Sequence, residues 1–163
     1  MDYKKLRDTR NSSNPFAQRL GIFVEEIGPG YARAVKDITA EDANPVGVAH
    51  GGCYFSLADT ACGSAMASHG YYAVTVNASY NFLRSAKLVA EARETKPGRT
   101  LCFYEVEIRD QAGTLLGNGS FTFYKLDREY DGVETVGFIP VTQLIKEIEK
   151  ATFCVLPLQS FNY

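Results

Sequence analysis

The stretch of residues 44–68, NPVGVAHGGCYFSLADTACGSAMAS, limits the folds open to this chain more than any other feature. It starts with turn-forming residues, continues with HGG at 50–52, and then runs without proline through many small side chains. Alanine and leucine favour a helix, and apolar positions recur near helical spacing at Phe55, Ala58, Cys62 and Met66. The stretch therefore predicts one long helix whose small side chains suit a sheet wrapped closely around it.

Asp59 is the polar exception in this helix, about two turns from its start. A carboxylate among small apolar residues costs free energy unless it is paired or near water. A position on a solvated face would explain it, and so would a role in chemistry.

The glycines at the helix start favour a chemical role for Asp59. The first residues of a helix present N–H groups without intrahelical acceptors, together with the positive end of the helix dipole. Glycine there lets a ligand carbonyl approach the backbone closely, which is how an oxyanion hole is built. Gly51 with Asp59 therefore predicts a site for acyl chemistry, in which an N–H polarises a carbonyl and a carboxylate attacks it or activates water.

The spacing of these two residues predicts a dimer. Gly51 and Asp59 are eight residues apart, which on one helix is about 12 Å along the axis. A reacting carbonyl needs its attacking atom within about 3.5 Å and a donor about 3 Å from its oxygen. One helix does not easily supply both, whereas two antiparallel copies can. If both residues act together, the sequence predicts a two-fold dimer with two shared sites.

The chain before this helix contains a polar segment, a short helix and a hairpin. Residues 1–13 are polar and are expected to be loosely ordered. Asn14-Pro15 predicts the start of a short helix that Gly21 ends. Two β-like runs follow at 22–27 and 31–38, and the Gly-Pro-Gly between them predicts a hairpin.

The chain after the helix alternates apolar and polar residues between turn signals. It predicts a meander of about four antiparallel strands, at 73–83, 87–95, 100–109 and 114–126. In the first strand one face is predicted to carry Val74, Val76, Ala78, Tyr80 and Phe82. In the strand at 100–109 one face is predicted to carry Cys102, Tyr104, Val106 and Ile108. Strands clustered after one helix indicate an α+β fold rather than alternating α/β.

Three segments are predicted. Residues 1–20 form an N-terminal segment with a short helix, residues 21–126 form the main domain, and residues 127–163 form a C-terminal extension in which PVTQLIKEIEKA resembles a short helix. The extension is expected to pack on the sheet or on a partner chain.

Composition excludes several classes of protein. A net charge of −2 without clustered Lys and Arg predicts no nucleic-acid binding. The charged N-terminus is unlike a signal peptide, and no apolar run has the length of a membrane span. The four cysteines have no CxxC spacing and are expected to be reduced thiols of a cytoplasmic protein. The histidines and cysteines show no metal-ligand spacing, so no metal site is expected.

Several motifs together resemble those of the PaaI-like acyl-CoA thioesterases of the hotdog-fold superfamily. They are Asn44, HGG at 50–52, SLADTA at 56–61 and VTVNASYNFLRSAK at 74–87, and the likeness extends over roughly residues 20–126. The resemblance implies a hotdog fold, in which an antiparallel sheet wraps around one long central helix. It implies hydrolysis of an acyl-CoA thioester to a free acid and coenzyme A, with an aromatic or medium-sized acyl group and no metal or redox cofactor. It also implies dimers that pair into tetramers.

The resemblance gives roles to individual residues. Asp59 is expected to be the general base or nucleophile, and the residues leave that choice open. The N–H of Gly51 is expected to hold the oxyanion, with His50 orienting the helix start and Asn44 holding the carbonyl or the water. Thr75 is expected to place water near the carboxylate, Gly52 to allow close packing at the substrate, and Arg84 to meet the phosphates of coenzyme A. Lys87, Lys96 and Arg99 are further cations for that purpose.

Three alternatives remain beside this interpretation. Cys53 follows His50 by three residues and lies in the first helical turn, so it could form a Cys–His nucleophile, although a buried thiol explains it equally simply. An enoyl-CoA hydratase of the same fold would resemble a pattern of Asp followed five residues later by His, which this chain lacks. A non-catalytic acyl-CoA binding protein would keep the pocket and lack the carboxylate, so the presence of Asp59 argues against it.

Overall fold

The computed structural model of the protein describes residues 1–83 and 88–130. They form three α-helices: α1 at Tyr3–Ser12, α2 at Pro15–Arg19 and α3 at Gly51–Ala67. A single 3₁₀ turn lies at Ala40–Asp42. The six strands are β1 at Ile22–Gly28, β2 at Tyr31–Lys36, β3 at Tyr71–Phe82, β4 at Leu88–Lys96, β5 at Leu101–Arg109 and β6 at Leu115–Glu129. The helix predicted beyond residue 130 lies outside the described residues.

The strands form one antiparallel sheet in the order β1-β2-β4-β5-β6-β3, and α3 contacts all six of them. Small side chains face each other where helix and sheet meet. Alanines 58, 61 and 65 of α3 are fully buried, as are the alanines at 32, 34, 90 and 92 on the adjoining strands β2 and β4. Small residues on both sides let the sheet approach the helix axis closely. The predicted α+β architecture, a sheet wrapped around one long helix, is confirmed.

Local signals predicted the short helix, the hairpin and β5 correctly. Asn14 caps α2 by accepting a hydrogen bond from the N–H of Ala17 at 3.0 Å, and Gly21 follows the helix with a φ of +64°. Gly30 closes the hairpin with a φ of +62°. The predicted inner face of β5 is buried at Cys102, Tyr104, Val106 and Ile108.

The predicted meander is wrong about β3. This strand pairs with β6, and β4 pairs with β2 instead. The fit between Tyr80 and two glycines of β6 accounts for the pairing. A Cβ at Gly117 would lie 2.1 Å from the Tyr80 hydroxyl, and one at Gly119 would lie 2.6 Å from the carbonyl oxygen of Ser79. Only glycine allows this approach, and β6 supplies it at both positions.

The expected disorder of residues 1–13 is also wrong, because most of this segment is α1. Asp2 caps the helix by accepting from the N–H of Lys5 at 3.0 Å, and Leu6 is buried in the core. The Asn11 carboxamide bonds both the N–H and the carbonyl of Val24 at 2.9 Å, so it pairs with the outer edge of β1 much as a strand would. The polar composition of residues 1–13 does not indicate these tertiary contacts.

Candidate active site

Asp59 and Thr75 meet on the inner side of the sheet. The Oγ1 of Thr75 donates a hydrogen bond of 2.7 Å to Oδ1 of Asp59. Asp59 is half-buried on α3 and lies between the buried residues Ala58 and Thr60. The carboxylate is therefore held by a hydroxyl while the rest of its helix turn packs in the core.

A β-bulge in β3 turns Thr75 toward the helix. The pairing with β6 shifts between Thr75 and Asn77, so that Thr75 pairs with Phe123 and Ala78 pairs with Phe121. Paired residues of antiparallel strands point to the same face, and both phenylalanines are buried. Val74 pairs with Tyr124, so the prediction that it shares a face with Ala78 and the later residues of β3 is wrong, because the extra residue of a bulge reverses the alternation. Val76 lies in the bulge and has no paired residue in β6.

The start of α3 leaves one glycine N–H available. His50 is the N-cap, and its Nδ1 accepts the N–H of Gly52 at 2.9 Å. Gly51 is the first helical residue, so its own N–H has no acceptor within the helix. The ring of Phe82 lies beside Gly51, because a Cβ there would be 3.2 Å from the ring's Cε1. The helix dipole adds positive potential at this point.

Gly51 and Asp59 lie on the same continuous helix, as the sequence predicted. Their separation along the axis is therefore about 12 Å. One chain does not bring both groups to one reacting carbonyl.

Asn44 organises the loop before α3. Its Oδ1 accepts hydrogen bonds from the N–H groups of Val46 at 2.9 Å and of Val48 at 3.2 Å, and its carbonyl accepts from Gly47. The side-chain oxygen is thus used within the loop, which is the turn role expected of an Asn-Pro sequence. The Nδ2 group is the part of the side chain that remains to donate to a ligand.

A buried ion pair that was not predicted from the sequence ties this loop to the sheet. The Nζ of Lys36 lies 2.9 Å from Oδ1 of Asp42, and it also bonds the carbonyl oxygen of Leu20. Burial by itself raises the pKa of Asp42, but hydrogen bonds from Lys36, Thr39 and Cys53 lower it to about 2. The Asp42 carbonyl then accepts the N–H of His50 at 2.8 Å, which fixes the residue that caps α3.

Two signals could have revealed this pair. Lys36 continues the alternation in which Ala32 and Ala34 face inward, so period two alone places it inside. Thr39 and Asp42 have the spacing of a capping box, and both of its hydrogen bonds are present.

Cys53 is a buried thiol rather than half of a Cys–His pair. Its Sγ is 3.4 Å from Oδ1 of Asp42, whereas the Nδ1 of His50 is occupied by Gly52. Burial raises the pKa of the thiol, and so does the neighbouring Asp42 carboxylate. The thiolate that a nucleophilic cysteine needs is therefore disfavoured. Cys62 and Cys102 are also free and buried.

The Asp59 carboxylate lines a cavity of about 360 Å³ between α1, α2, α3 and β3. Its wall is rich in aromatic rings, from Phe16, Tyr71, Tyr72, Phe123 and Tyr130. Arg10 of α1 also lines it, and it was not predicted because residues 1–13 were expected to be loosely ordered. A larger cavity of about 650 Å³ is lined by β2, β4 and β5 residues, and none of the residues predicted for the site belongs to it.

Of the cations predicted for coenzyme A, the structure describes only Lys96 and Arg99. Arg84 and Lys87 lie outside the described residues. Lys96 ends β4 and Arg99 follows it. Nearby in the same strand, Glu94 contacts His69, which follows the C-terminal end of α3, so this end of β4 lies near the end of the helix opposite Gly51.

Within residues 1–83 and 88–130, no three His, Cys, Asp or Glu side chains are grouped so that they could hold a metal ion. None of the helices described there is both long enough and apolar enough to cross a membrane.

Comparison with known proteins identifies the family of this arrangement. The family model of the thioesterase superfamily matches residues 46–116, which include the helix start and Asp59. A relative from Archaeoglobus fulgidus is 30% identical over 131 residues, covering 78% of this chain and 85% of that protein. The acyl-coenzyme A thioesterase PaaI of Escherichia coli is 35% identical over 99 residues, covering 58% of this chain and 71% of that enzyme.

Solved structures extend the likeness to the whole fold. The PaaI protein of E. coli, from the phenylacetic acid degradation operon, superposes with a TM-score of 0.70 at 27% identity, covering 76% of this chain and 98% of that one. The protein smu.793 of Streptococcus mutans, solved bound to acetyl-CoA, superposes with a TM-score of 0.64 at 26% identity, covering 67% of this chain and 91% of that one.

Proposed function

Because the chain belongs to the thioesterase superfamily, as a PaaI-like thioester hydrolase with the hotdog fold, we propose that it hydrolyses acyl-CoA to a free acid and coenzyme A with Asp59 as its catalytic carboxylate. The hydrogen bond between Thr75 and Asp59 carries this proposal. It places one oxygen of a half-buried carboxylate on a fixed donor, at the wall of an aromatic cavity. The other oxygen is left to take a proton from water or to attack the thioester carbon.

The N–H of Gly51 is the proposed oxyanion donor. As the negative charge develops on the thioester oxygen, an N–H with no intrahelical acceptor and the positive end of the α3 dipole stabilise it. His50 supports this arrangement by accepting the N–H of Gly52 from the cap position. A Cβ at residue 52 would lie 3.0 Å from that Nδ1, so glycine makes room for the His50 ring, and Gly52 remains a proposed contact for the substrate. Asn44 would donate from Nδ2 to the thioester or to the attacking water.

Two copies of the chain would complete each site, since about 12 Å separates Gly51 from Asp59 along α3. β3 supplies a surface for pairing, because it is an edge strand of 12 residues with which only β6 pairs among the described strands. Large apolar side chains are exposed on β3, just after it, and at the start of α3: Phe55, Val76, Phe82 and Leu83. An open edge beside exposed apolar residues favours association with a second copy.

The acyl group is proposed to be aromatic or medium-sized, because the cavity beside Asp59 has about 360 Å³ and five aromatic rings in its wall. Coenzyme A as the carrier follows from the likeness to the E. coli thioesterase and to the S. mutans protein bound to acetyl-CoA. Arg84 remains a proposed contact for its phosphates.

The first experiment is the release of free thiol from a panel of acyl-CoAs, with wild type beside Asp59→Asn. Asparagine keeps the volume and can still accept from Thr75, but it cannot take up a proton or attack. We expect the variant to lose most of its kcat and to keep its thermal unfolding profile. A wild type that binds the panel without releasing thiol would instead indicate an acyl-CoA binding protein, and near-normal rates in Asp59→Asn would remove Asp59 from the mechanism.

A second experiment removes the proposed oxyanion donor alone. Gly51→Pro deletes the N–H at the first helical position, where proline is well tolerated. The φ of −63° and ψ of 138° at His50 suit a residue that precedes proline. We expect kcat to fall by about 10²–10³. Gly51→Ala adds a comparable contact with Phe82 but keeps the N–H, and is the matched control. Equal rates in the two variants would exclude this N–H as the donor.

The shared site is tested by light scattering. We expect the active species to be at least a dimer. A fully active monomer would contradict the proposed pairing of Gly51 with the partner's Asp59.

A further inference from the structure

Arg10 brings a positive charge from α1 into the cavity beside Asp59. Leu6, one turn earlier on α1, is buried and fixes the helix against the core. The Nε of Arg10 lies 3.4 Å from the Oγ of Ser64 on α3. Its Nη2 lies 3.4 Å from the position that a Cβ on Gly63 would occupy, so the absence of a side chain at residue 63 makes room for the guanidinium.

The charge of Arg10 has no carboxylate partner within the part of the chain that the structure describes. The long contact with Ser64 is its one hydrogen bond there, and it forms no ion pair. By contrast, Arg7 is 2.6 Å from Asp8 and Arg109 is 2.7 Å from Glu107. Arg10 is half-buried, and the side chain with opposite charge in its cavity is Asp59.

The helix geometry sets the distance from the reacting group. Gly63 follows Asp59 by four residues, so the two lie on the same face of α3, about 6 Å apart along the axis. The side chain of Asp59 leans toward the start of the helix, away from Arg10. An acyl chain whose carbonyl is next to Asp59 would reach Arg10 with atoms several bonds further along, because both residues line the same cavity.

We infer that Arg10 binds a carboxylate at the far end of the acyl group, so that the preferred substrates are CoA thioesters of dicarboxylic acids. This inference rests on the proposed thioesterase function. A guanidinium presents paired N–H donors that match both oxygens of a carboxylate, and such charge-assisted bonds are roughly twice as strong as neutral ones. Among the described residues the Nη atoms of Arg10 form no hydrogen bond, so they are available to form these.

A purely structural role for Arg10 predicts a different result. If the side chain only ties α1 to Ser64, or only acts on the charge of Asp59, its loss would change the hydrolysis of all acyl-CoAs by the same factor. A substrate contact changes the ratio between acyl groups instead, and it acts mainly on KM because the contact exists before and during the reaction.

The test measures kcat and KM for succinyl-, glutaryl- and adipyl-CoA, each beside a neutral thioester in which an isopropyl group replaces the terminal carboxylate. The proteins are wild type, Arg10→Met, Arg10→Lys and the control Arg7→Met, which removes an arginine of the same helix that pairs with Asp8. Thermal unfolding of each variant checks that α1 stays in place.

We expect wild type to prefer at least one dicarboxylic thioester over its neutral counterpart by about tenfold in kcat/KM. Arg10→Met should abolish this preference through KM, Arg10→Lys should retain part of it, and Arg7→Met should match wild type. A wild type with no such preference at any of the three lengths overturns the inference, as does a preference that survives in Arg10→Met.

The inference and the proposed function fail in different ways. If wild type releases thiol only from neutral acyl-CoAs, the thioesterase function stands and the role of Arg10 is wrong. If wild type cleaves no thioester, the function is wrong. Calorimetric titrations of the protein with glutaryl-CoA and with its neutral counterpart then decide the role of Arg10, which requires the same tenfold ratio between the two Kd values. Equal affinities would then reject it.

Discussion

Replacing Lys36 with methionine is expected to destabilise the protein and to disturb the start of α3. The Lys36 ammonium lies 2.9 Å from Oδ1 of Asp42, and the two side chains are 3% and 9% exposed. Methionine keeps much of the apolar stem but leaves the carboxylate buried without its cation. It also leaves the carbonyl oxygen of Leu20 without the donor that Nζ supplies.

The expected loss of stability follows from the contacts that remain. Removing one member of a buried ion pair costs about 3–5 kcal/mol. Asp42 keeps hydrogen bonds from the N–H and Oγ1 of Thr39 and from the Cys53 thiol. We therefore expect a loss near the lower limit, about 3 kcal/mol. For 163 residues this lowers Tm by about 6–12 °C.

The assay is urea unfolding at fixed protein concentration, for Lys36→Met, Asp42→Asn and the double variant. Lys4→Met on the exposed side of α1 is the matched control and should change stability by less than about 0.5 kcal/mol. The double variant should lose about 2 kcal/mol less stability than the sum of the losses in the single variants, because the second substitution removes the charge that the first left buried and unpaired. Additive losses would refute the interpretation that these two groups stabilise each other.

The same pair predicts a dependence of stability on pH. Asp42 has a pKa of about 2 in the folded protein, below its ordinary value of 3.8. A lowered carboxyl pKa contributes stability that is complete above the unfolded value and is lost as pH falls toward 2. The stability difference between wild type and Lys36→Met should therefore shrink between pH 4 and pH 2. A constant difference across this range would show that Lys36 does not hold the charged form of Asp42.

Three further substitutions test the buried groups around the site. Cys53→Ala should change kcat less than about twofold, because the raised pKa of this thiol disfavours a nucleophilic role, and a loss above tenfold would restore the Cys–His hypothesis. Tyr80→Phe should raise the free energy of unfolding by about 1 kcal/mol, since the buried Tyr80 hydroxyl has no hydrogen-bond partner among residues 1–83 and 88–130. A loss of stability would mean that the hydroxyl has one. Gly119→Ala should lower the free energy of unfolding by about 3 kcal/mol, because its Cβ would lie 2.6 Å from the Ser79 carbonyl oxygen. The control Gly28→Ala adds a Cβ at an ordinary 3.7 Å from Tyr31. Equal losses of stability in the two variants would contradict the close approach.

Sequence reasoning succeeded where the interactions are local. The start of α3, the hairpin turn and the inner face of β5 all depend on residues within a few positions of one another. His50 at the cap, Gly30 at the turn and the alternation that includes Tyr104 each determine backbone geometry in their own neighbourhood. The pairing of Thr75 with Asp59 came instead from a family resemblance, because alternation alone placed Thr75 on the opposite face.

The placement of Arg10 shows the limit of such reasoning. Arg10 meets Ser64 across 54 residues of sequence, and nothing in the polar segment around Arg10 marks that contact. The same is true of Asn11, whose carboxamide pairs with Val24 at the edge of β1.

By itself, the sequence determined that this chain contains one helix of small residues, with glycines at its start and a carboxylate two turns along. Only the tertiary structure decided which strand flanks β6, where the bulge in β3 turns Thr75 inward, and how Lys36 and Asp42 hold the helix start. The physical reason is that helix caps, turns and alternation arise from short-range sterics and hydrogen bonds. Strand order, bulges and buried ion pairs instead depend on which distant side chains fit together once the sheet has closed around the helix.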